Sequence, residues 1–561
     1  MSRLFQTHHI RKVISLPALW DLNVPGYSTV KIPVPSCVES IPSFSNYKGT
    51  CSLKTQQFFS GDVRLTFKGV GHTANVFLDG QHLGSHYGAY GEFSFILKDQ
   101  APESHTICVE ADNAYSEESA LHVDNDYYSY LGITRPFVLE QLRSAYIQWI
   151  HVTPEYENGQ WSARISASIE NISNDNLACD LRFYVSDSDT YCENPSDGLG
   201  SVSLPVHLAA GEIRIAKTSI PCPGVKAYMP EDPVMYFVHG QLHAPDGEAF
   251  DDLIERFGFR EIKVAGKQIL FNGVPLQLKG FNRHEDYAEF GSSVPVTAMM
   301  RDIMLIKDTG ANCVRTSHYP NDERFLDLCD ENGLLVWEEA HARGLSEAQM
   351  RNPHFLRQSR LTVTEMITYH YNHPSIFVWG LLNECASETE FGRECYRELI
   401  DLIRFLDPSK PVTFASCKHY IDLCLDLVDI VSFNLYPIWY SNISCEEDIA
   451  KCLEYVRGHG GANKPFIISE MGAGAIYGYR TNIRCKWSEE FQADALRAQI
   501  STALSYPECS GIIIWQFADC RVDTGWFMNR PKTQNNKGVV DIYRREKLAY
   551  ETVKELFKKA Y

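Results

Sequence analysis

The stretch SIFVWGLLNE, residues 375–384, decides the fold, because an apolar run stops abruptly at Asn383 and Glu384. A second run, PFIISE at 465–470, ends in the same way at Glu470. Short apolar runs with polar ends predict strands buried on both faces, as in a parallel sheet. In a (β/α)₈ barrel the functional groups lie at the C-terminal ends of the strands, and the strand interiors fill the core. The two glutamates are therefore predicted to face one site.

Eight such runs alternate with segments of helical periodicity from about residue 275 to the C-terminus. They are PLQLKGFNRHED (275–286), NCVRTSHYP (312–320), LLVWEE (334–339), SIFVWGLLNE (375–384), PVTFAS (411–416), DIVSFNLY (429–436), PFIISE (465–470) and GIIIWQFAD (511–519). Between the first two runs, Met299, Ile303 and Ile306 recur at helical spacing, and Gly310 supplies a helix stop. The alternation predicts a (β/α)₈ TIM barrel over residues 259–561.

The residues before the barrel predict two further domains made of β-strands. In the first, residues 1–142, Val63, Leu65 and Phe67 alternate with polar positions, and Asp79-Gly80 is typical of a hairpin turn. In the second, residues 143–258, SARISASIEN places alanine and isoleucine on one face of a strand. Alternation of this kind predicts a half-buried sheet in each domain, and a β-sandwich for the second.

Composition excludes several classes of protein. The chain of 561 residues has 52 Lys plus Arg against 71 Asp plus Glu, a net charge of −19, so nucleic acid is not an expected partner. No apolar run reaches the roughly 18 residues of a membrane helix, and MSRLFQTHHIRKVIS lacks a secretory apolar region, so we expect a cytoplasmic protein without a membrane partner. The 17 cysteines are scattered and odd in number, which favours reduced thiols over a disulfide framework.

Several motifs in order resemble glycoside hydrolase family 2, which includes β-galactosidases, β-mannosidases and β-glucuronidases. The similar segments are GHTANVFLDGQHLGSHYGAY (71–90), KGFNRHED (279–286), RTSHYP (315–320), NHPSIFVWGLLNE (372–384), ISEMG (468–472) and WQFAD (515–519). The resemblance implies an N-terminal jelly-roll β-sandwich, then an immunoglobulin-like β-sandwich, then the catalytic barrel. It also implies Glu384 as acid/base, Glu470 as nucleophile, no required cofactor or metal, and a homo-oligomer, with a tetramer as the family's common form.

Physical chemistry supports those two roles for the carboxyl groups. A retaining glycosidase places its two carboxyls about 5–5.5 Å apart, so that one attacks the anomeric carbon and the other protonates the leaving oxygen. The charge of Glu470 is expected to raise the pKa of Glu384 and keep a proton on it until Glu470 is esterified. Asn383 is expected to bind the sugar 2-hydroxyl, a contact that strengthens in the transition state.

The segment TQNNKG, residues 533–538, resembles the Asn-x-Lys motif by which β-glucuronidases bind the C6 carboxylate of glucuronic acid. An amide and an ammonium, here those of Asn535 and Lys537, can form charge-assisted hydrogen bonds worth roughly 1.5–3 kcal/mol each with a carboxylate. A neutral galactoside would leave Lys537 without this partner. The sequence therefore predicts a hydrolase of terminal β-D-glucuronides.

The remaining predicted substrate contacts come from the same resemblance. Tyr436 and Tyr440 resemble paired tyrosines of β-glucuronidases, and Asp126 resembles an aspartate that the jelly-roll domain contributes to the sugar pocket. The other three are His318 after the second strand, Asn434 at the end of the sixth, and Trp515, which is expected to stack on the sugar. His284 is either a sugar contact or, as we favour, a histidine that orients Asp286.

The chain also departs from some members of the family, and these departures leave alternatives open. Only Ala340 to Tyr371 separate the third and fourth runs, so the chain resembles the bacterial β-glucuronidase type that lacks a long active-site loop. We expect an open mouth that admits larger glucuronide conjugates or oligosaccharide ends. The residues Arg530-Pro531-Lys532 differ from the familiar pattern and leave room for a β-galacturonidase.

Three further alternatives come from the chemistry of the site. A β-galactosidase on the same framework is one, and a non-catalytic carbohydrate-binding protein, disfavoured because both acids are present, is another. The third, a metal-dependent barrel hydrolase, needs a His-x-His pair where this chain has RHED, residues 283–286.

Overall fold

The computed structural model describes residues 2–190 and 198–559. Its N-terminal part is an antiparallel β-sandwich, built on two long strands that pair along most of their length, Thr50–Phe67 and Phe93–Asp112. The remaining strands of this part are Val13–Ile14, Leu19–Asn23, Val30–Pro33, Val70–Gly71, Thr73–Leu78, Gln81–Tyr87, Gly132–Ile133 and Phe137–Gln141. As the alternation predicted, Val63, Leu65 and Phe67 are fully buried. Asp79 and Gly80 both have positive φ, which suits the predicted hairpin turn.

The middle part consists of two antiparallel sheets of three and four strands packed face to face. The three-stranded sheet contains Ala145–Glu157, Gln160–Asn171 and Ile213–Cys222, and the four-stranded sheet contains Leu177–Ser186, Gly200–Leu208, Tyr236–His243 and Ala249–Phe257. Their shared core includes the alternating series that the sequence identified, since Ala163, Ile165, Ala167 and Ile169 are all fully buried. A small sheet, Ile262–Ala265, Gln268–Phe271 and Val274–Pro275, then leads into the barrel.

Eight parallel strands close into the predicted barrel. In chain order they are Leu278–Asn282, Cys313–Arg315, Leu335–Glu339, Ile376–Leu381, Val412–Ser416, Val431–Asn434, Phe466–Met471 and Cys509–Ile514, and the first pairs with the last. The helices are Val296–Asp308, Glu323–Asn332, Glu347–Met350, Phe355–His370, Glu390–Leu406, Cys445–Gly458, Glu489–Ser505 and Leu548–Lys559. Residues 417–430, between the fifth and sixth strands, contain no helix. The fold class predicted from the sequence is confirmed.

Buried ion pairs fasten the N-terminal sandwich onto the end of the barrel where the strands stop. Arg135 donates to Glu285 at 2.7 Å, and both side chains are almost fully buried. Tyr130 donates its hydroxyl to Asp286 at 2.7 Å. Because Glu285 and Asp286 follow the first barrel strand, the sandwich sits over the site end of the barrel. No helix of the described residues is long and apolar enough to cross a membrane, and the cysteines within the described ranges are free thiols.

Substitution of two aspartates of the first barrel helix measures how much a buried ion pair contributes to the stability of the fold. Asp302 lies between Arg283 and Arg544, at 3.0 and 2.8 Å, and all three are fully buried. Asp302→Ala leaves two guanidinium groups without their counter-charge, so we expect the free energy of unfolding to fall by about 3–5 kcal/mol. Asp308, on the same helix, pairs with Lys554 at a half-exposed position, and Asp308→Ala should cost less than about 1 kcal/mol. Urea unfolding of both variants measures the difference, and equal losses would contradict the role of the buried pair.

Candidate active site

A cavity of about 320 Å³ opens at the C-terminal end of the barrel. Of the eleven site residues predicted from the sequence, eight line it: Asp126, Glu384, Asn434, Tyr436, Tyr440, Glu470, Trp515 and Lys537. The other three, His318, Asn383 and Asn535, are almost fully buried directly behind its wall. The two glutamates therefore share one cavity, as the sequence predicted.

The floor of the cavity is organised by Arg315, the last residue of the second strand, which is completely buried. Its guanidinium donates to both carboxylate oxygens of Glu339, at 2.7 and 2.9 Å. It also donates to Asn383 Oδ1 at 2.9 Å and to Glu470 Oε1 at 3.0 Å. A planar group with five fixed donors suits this task, because it orients several acceptors at once.

Glu470 is the second-last residue of the seventh strand, and each of its carboxylate oxygens is bonded to a different donor. Arg315 holds Oε1, and the Tyr436 hydroxyl donates to Oε2 at 2.6 Å. Burial and then the negative charge of Glu384 raise the pKa of Glu470 to about 7, although Arg315 and Tyr436 oppose that rise. The negative charge of Glu384 thus raises the pKa of Glu470, and the expected effect of Glu470 on Glu384 stays a prediction.

Glu384 lies just beyond the fourth strand, where its backbone has φ 55°, a left-handed conformation that turns the side chain out of the strand direction. Asn434 donates its amide to Glu384 Oε1 at 2.9 Å. Arg343 lies 3.3 Å from the other oxygen, Oε2, and donates to Asn125 of the N-terminal sandwich at 3.0 Å. Glu384 is therefore held on one side by the barrel and on the other by an arginine that the sandwich fixes.

A buried lysine, Lys537, lines the cavity near the end of the eighth strand. The Lys537 side chain is 2% exposed and its ammonium lies 5.5 Å from the centre of the Tyr440 ring. Burial raises the pKa of the Tyr440 hydroxyl, but the positive charges of Lys537 and, to a smaller extent, Arg530 outweigh burial and lower that pKa. Within residues 2–190 and 198–559 no carboxylate forms an ion pair with Lys537. Asn535, two residues earlier, is completely buried beside it.

Asp126 reaches the cavity from the N-terminal sandwich, but its carboxylate is already occupied. Arg530 donates its Nε to Asp126 Oδ1 at 2.7 Å, and Asn535 donates its amide to Oδ2 at 3.0 Å. The aspartate thus positions Arg530 and Asn535 next to Lys537. Together these residues form a fixed group of donors at one end of the cavity.

Two predicted residues support the cavity wall from behind. The His318 ring stacks on Trp515 with centroids 5.0 Å apart, and its Nδ1 lies 2.8 Å from Glu339 Oε1. Asn383 accepts hydrogen bonds through Oδ1, while its buried amide nitrogen has no partner among the described residues. A buried donor without a partner is costly unless a ligand completes it.

The interpretation of His284 as the group that orients Asp286 is wrong. His284 Nδ1 lies 3.2 Å from the hydroxyl of Tyr319. Asp286 instead accepts hydrogen bonds from Tyr130 and from the backbone N–H of Arg521. Residues 283–286 lie beyond the strand Leu278–Asn282, where the regular alternation of a strand has ended, so closeness in RHED does not bring these two side chains together.

Sequence reasoning missed several residues of the site. Arg343, Cys417 and His419 line the cavity from loops that follow the third and fifth strands, and Asp448 lines it from the first turn of helix Cys445–Gly458. Arg343 and His419 follow strand ends within a few residues, so an extension of the strand-end rule beyond the last strand residue could have identified them. Nothing local in the sequence marks Asp448.

One group within the described residues has the geometry to ligate a metal: Asp327, Asp330 and His373. Guanidinium groups already neutralise it, since Arg3 Nη2 lies 2.8 Å and Arg256 Nη2 lies 3.2 Å from Asp327 Oδ1. The group lies outside the cavity lining. We therefore interpret it as part of the ion-pair network between the N-terminus and the barrel.

The hydrogen bond from Tyr436 to Glu470 favours the ionised carboxylate. Tyr436→Phe removes that donor, so we expect the pKa of Glu470 to rise above about 7. Carbon-13 NMR titration of labelled glutamate side chains measures the shift. Tyr440→Phe is the matched control, because Tyr440 lies in the same wall without a hydrogen bond to Glu470. An unchanged or lowered pKa in Tyr436→Phe would contradict this account of the pair.

Comparison with known proteins agrees with this geometry. A family model described as "Glycosyl hydrolases family 2, TIM barrel domain" matches residues 262–559, and the "sugar binding domain" model of the same family matches residues 7–142. A β-glucuronidase of Streptococcus agalactiae is 29% identical over 542 residues, which covers 89% of this chain and 85% of that protein. The β-glucuronidase of Sus scrofa is also 29% identical, over 77% of this chain and 64% of its own length.

A solved structure extends the similarity to the whole chain. The crystal structure of a family 2 β-galacturonidase from Eisenbergiella tayi bound to galacturonate superposes with a TM-score of 0.96. The two sequences are 48% identical, and the superposition covers 100% of this chain and 99% of that chain.

Proposed function

Because this chain belongs to family 2 of the glycosyl hydrolases, we propose that it hydrolyses terminal β-D-glucuronides by double displacement, with Glu470 as nucleophile and Glu384 as acid/base. The observation that carries the substrate class is the buried ammonium of Lys537, which lines the cavity without a carboxylate partner among the described residues. A uronic acid brings the missing negative charge.

In the first step a Glu470 oxygen attacks the anomeric carbon while the bond from that carbon to the leaving oxygen breaks. Glu384 gives its proton to the leaving oxygen, which departs as an alcohol. This step needs Glu470 ionised and the proton on Glu384. Arg315 and the Tyr436 hydroxyl favour the ionised form of Glu470, because both donate to its carboxylate. Asn434, bonded to Glu384 Oε1, keeps the carboxyl pointed at the leaving group.

In the second step water attacks the anomeric carbon of the glycosyl ester, and Glu470 leaves as a carboxylate. Glu384, ionised after the first step, takes the proton from that water. The Tyr436 hydroxyl and Arg315 stabilise the departing carboxylate, since both already donate to it. The unpartnered amide of Asn383 is placed to bind the sugar 2-hydroxyl.

A specific observation favours a second candidate, the β-D-galacturonides. The solved β-galacturonidase is more similar to this chain than the β-glucuronidases described above. Glucuronate and galacturonate differ in configuration at C4 and share the C6 carboxylate. Lys537 and Asn535 therefore suit both, and Arg530, which Asp126 holds beside them, belongs to the segment that departs from the familiar pattern.

We further propose a homo-oligomer that works in the cytoplasm without a cofactor. Large conjugates or oligosaccharide ends are the proposed substrates, because the segment between the third and fourth strands is largely helical, as Glu347–Met350 and Phe355–His370, and adds no long loop over the cavity.

Removal of either carboxyl tests the two-step chemistry. We expect Glu384→Ala to lower kcat on a 4-nitrophenyl uronide by about 10²–10⁴-fold. Azide, which needs no general base, should restore turnover in Glu384→Ala and give a β-glycosyl azide. In Glu470→Ala it should give the α-glycosyl azide. NMR of the products distinguishes the two, and the same anomer from both variants would refute the assigned roles.

Lys537→Ala tests the recognition of the carboxylate. Loss of one charge-assisted bond of about 1.5–3 kcal/mol lowers kcat/KM on β-glucuronide and β-galacturonide by roughly 10–100-fold. Activity on β-galactoside and β-mannoside should stay unchanged. Lys532→Ala, which removes an exposed lysine of the same segment, is the matched control. Equal effects of Lys537→Ala on acidic and neutral sugars would contradict uronide recognition.

A further inference from the structure

A fourth carboxylate lines the cavity beside those of Asp126, Glu384 and Glu470, and it has no role in the chemistry described so far. Asp448 lines the same cavity and is only 7% exposed. Within the described ranges, no side chain or backbone N–H donates to its carboxylate. Burial raises the pKa of Asp448, and the neighbouring His419 opposes that rise. The carboxylate lines the cavity with its acceptor oxygens unoccupied, so a ligand with donor groups could bind to it there.

The position of Asp448 at a helix start does not by itself explain its burial. Acidic residues in the first turn stabilise a helix dipole, but Glu446 and Glu447 already occupy that turn of Cys445–Gly458. Glu447 points to solvent and pairs with Lys451. Asp448, in contrast, faces the cavity and forms no ion pair within the described ranges.

The surroundings of Asp448 place it on the leaving-group side. His419 Nε2 lies 2.8 Å from the backbone oxygen of Asn434, and the Asn434 side chain holds Glu384. Asp448 and His419 are therefore near the proton donor, whereas Lys537 lies with Trp515 beyond the eighth strand. One end of the cavity therefore carries Lys537 for the uronic acid. The other end, beyond the glycosidic bond of the proposed substrate, carries the hydrogen-bond acceptor Asp448.

The loop that presents His419 is held in place by hydrogen bonds to Asp422. Residues 417–430 replace a helix after the fifth strand, and Asp422 anchors them from within. Its carboxylate accepts hydrogen bonds from Ser387 and Ser416, each at 2.5 Å, and from the backbone N–H of Cys424 at 2.7 Å. Because Asp422 holds this loop and Asp448 belongs to a helix, little conformational freedom is lost when a polar ligand binds between them.

We propose that Asp448 is a specificity determinant that accepts hydrogen bonds from hydroxyl groups of a leaving-group sugar. The natural substrate class is then a uronic acid β-linked to another sugar, rather than to an apolar aromatic alcohol. The proposal rests on the uronide hydrolase function proposed above, and adds to it the chemistry of the leaving group.

The test uses substrates that share the same uronic acid and differ in the leaving group. Wild type, Asp448→Ala and the control Glu447→Ala are assayed on 4-nitrophenyl uronides of both epimers, and on disaccharides that link the preferred uronic acid to glucose or to glucosamine. We expect Asp448→Ala to lower kcat/KM on the glucose disaccharide by about 10-fold or more. The change on the 4-nitrophenyl uronide should stay below about 2-fold, and Glu447→Ala should match wild type on all substrates.

Each of the other outcomes contradicts one specific part of the proposal. Equal loss on both leaving groups, or no loss on the glucose disaccharide, overturns the role of Asp448. Failure of wild type to cleave the disaccharides while it cleaves a 4-nitrophenyl uronide overturns the sugar leaving group and leaves the proposed function standing. A loss confined to the glucosamine disaccharide shows recognition of an ammonium and overturns hydroxyl recognition. If wild type cleaves neither of the two 4-nitrophenyl uronides, the proposed function itself is refuted.

Discussion

The site depends on one buried guanidinium. Arg315 connects residues from four other places around the barrel, since it donates to Asn282, Glu339, Asn383 and Glu470. A buried arginine without its carboxylates would be strongly destabilising, and the carboxylates without the arginine equally so. The same contacts that make the barrel end stable therefore fix where the carboxyl of Glu470, the proposed nucleophile, points.

The N-terminal sandwich completes the site by contributing charge rather than reactive groups. Asp126 holds Arg530 at the cationic end, and Asn125 holds Arg343 beside Glu384. Both contacts place an arginine that belongs to the barrel. The sandwich thus fixes one barrel arginine beside the proposed carboxylate subsite and another beside the proposed proton donor. Preorganised charge of this kind is the main electrostatic resource of an enzyme.

Whether a feature of the fold or the site could be predicted from the sequence depends on how far apart in the chain the interacting residues are. The barrel and the strand-end position of Glu384 and Glu470 follow from local periodicity, because a buried parallel strand is a continuous apolar run that must end in polar residues. Residues such as Arg530 could not be assigned, since the pair that it forms with Asp126 joins positions 404 residues apart.

Asp448 and the error over His284 show the same limit. Asp448 starts an ordinary amphipathic helix, and only tertiary packing turns it toward the cavity. His284 was paired with Asp286 because they are neighbours in the chain, whereas its partner Tyr319 is 35 residues away. Local patterns predicted the elements and the reactive pair, and the residues that tune them became visible only in three dimensions.

The central claim is that Glu470 carries the sugar as a covalent ester. The most direct measurement incubates the protein with a 2-deoxy-2-fluoro-β-D-uronosyl fluoride, whose fluorine slows release of the ester, and locates the added mass by peptide mass spectrometry. The account predicts one fluorouronosyl group, attached to Glu470. An unmodified protein that still cleaves uronides, or a label on Glu384, would contradict it.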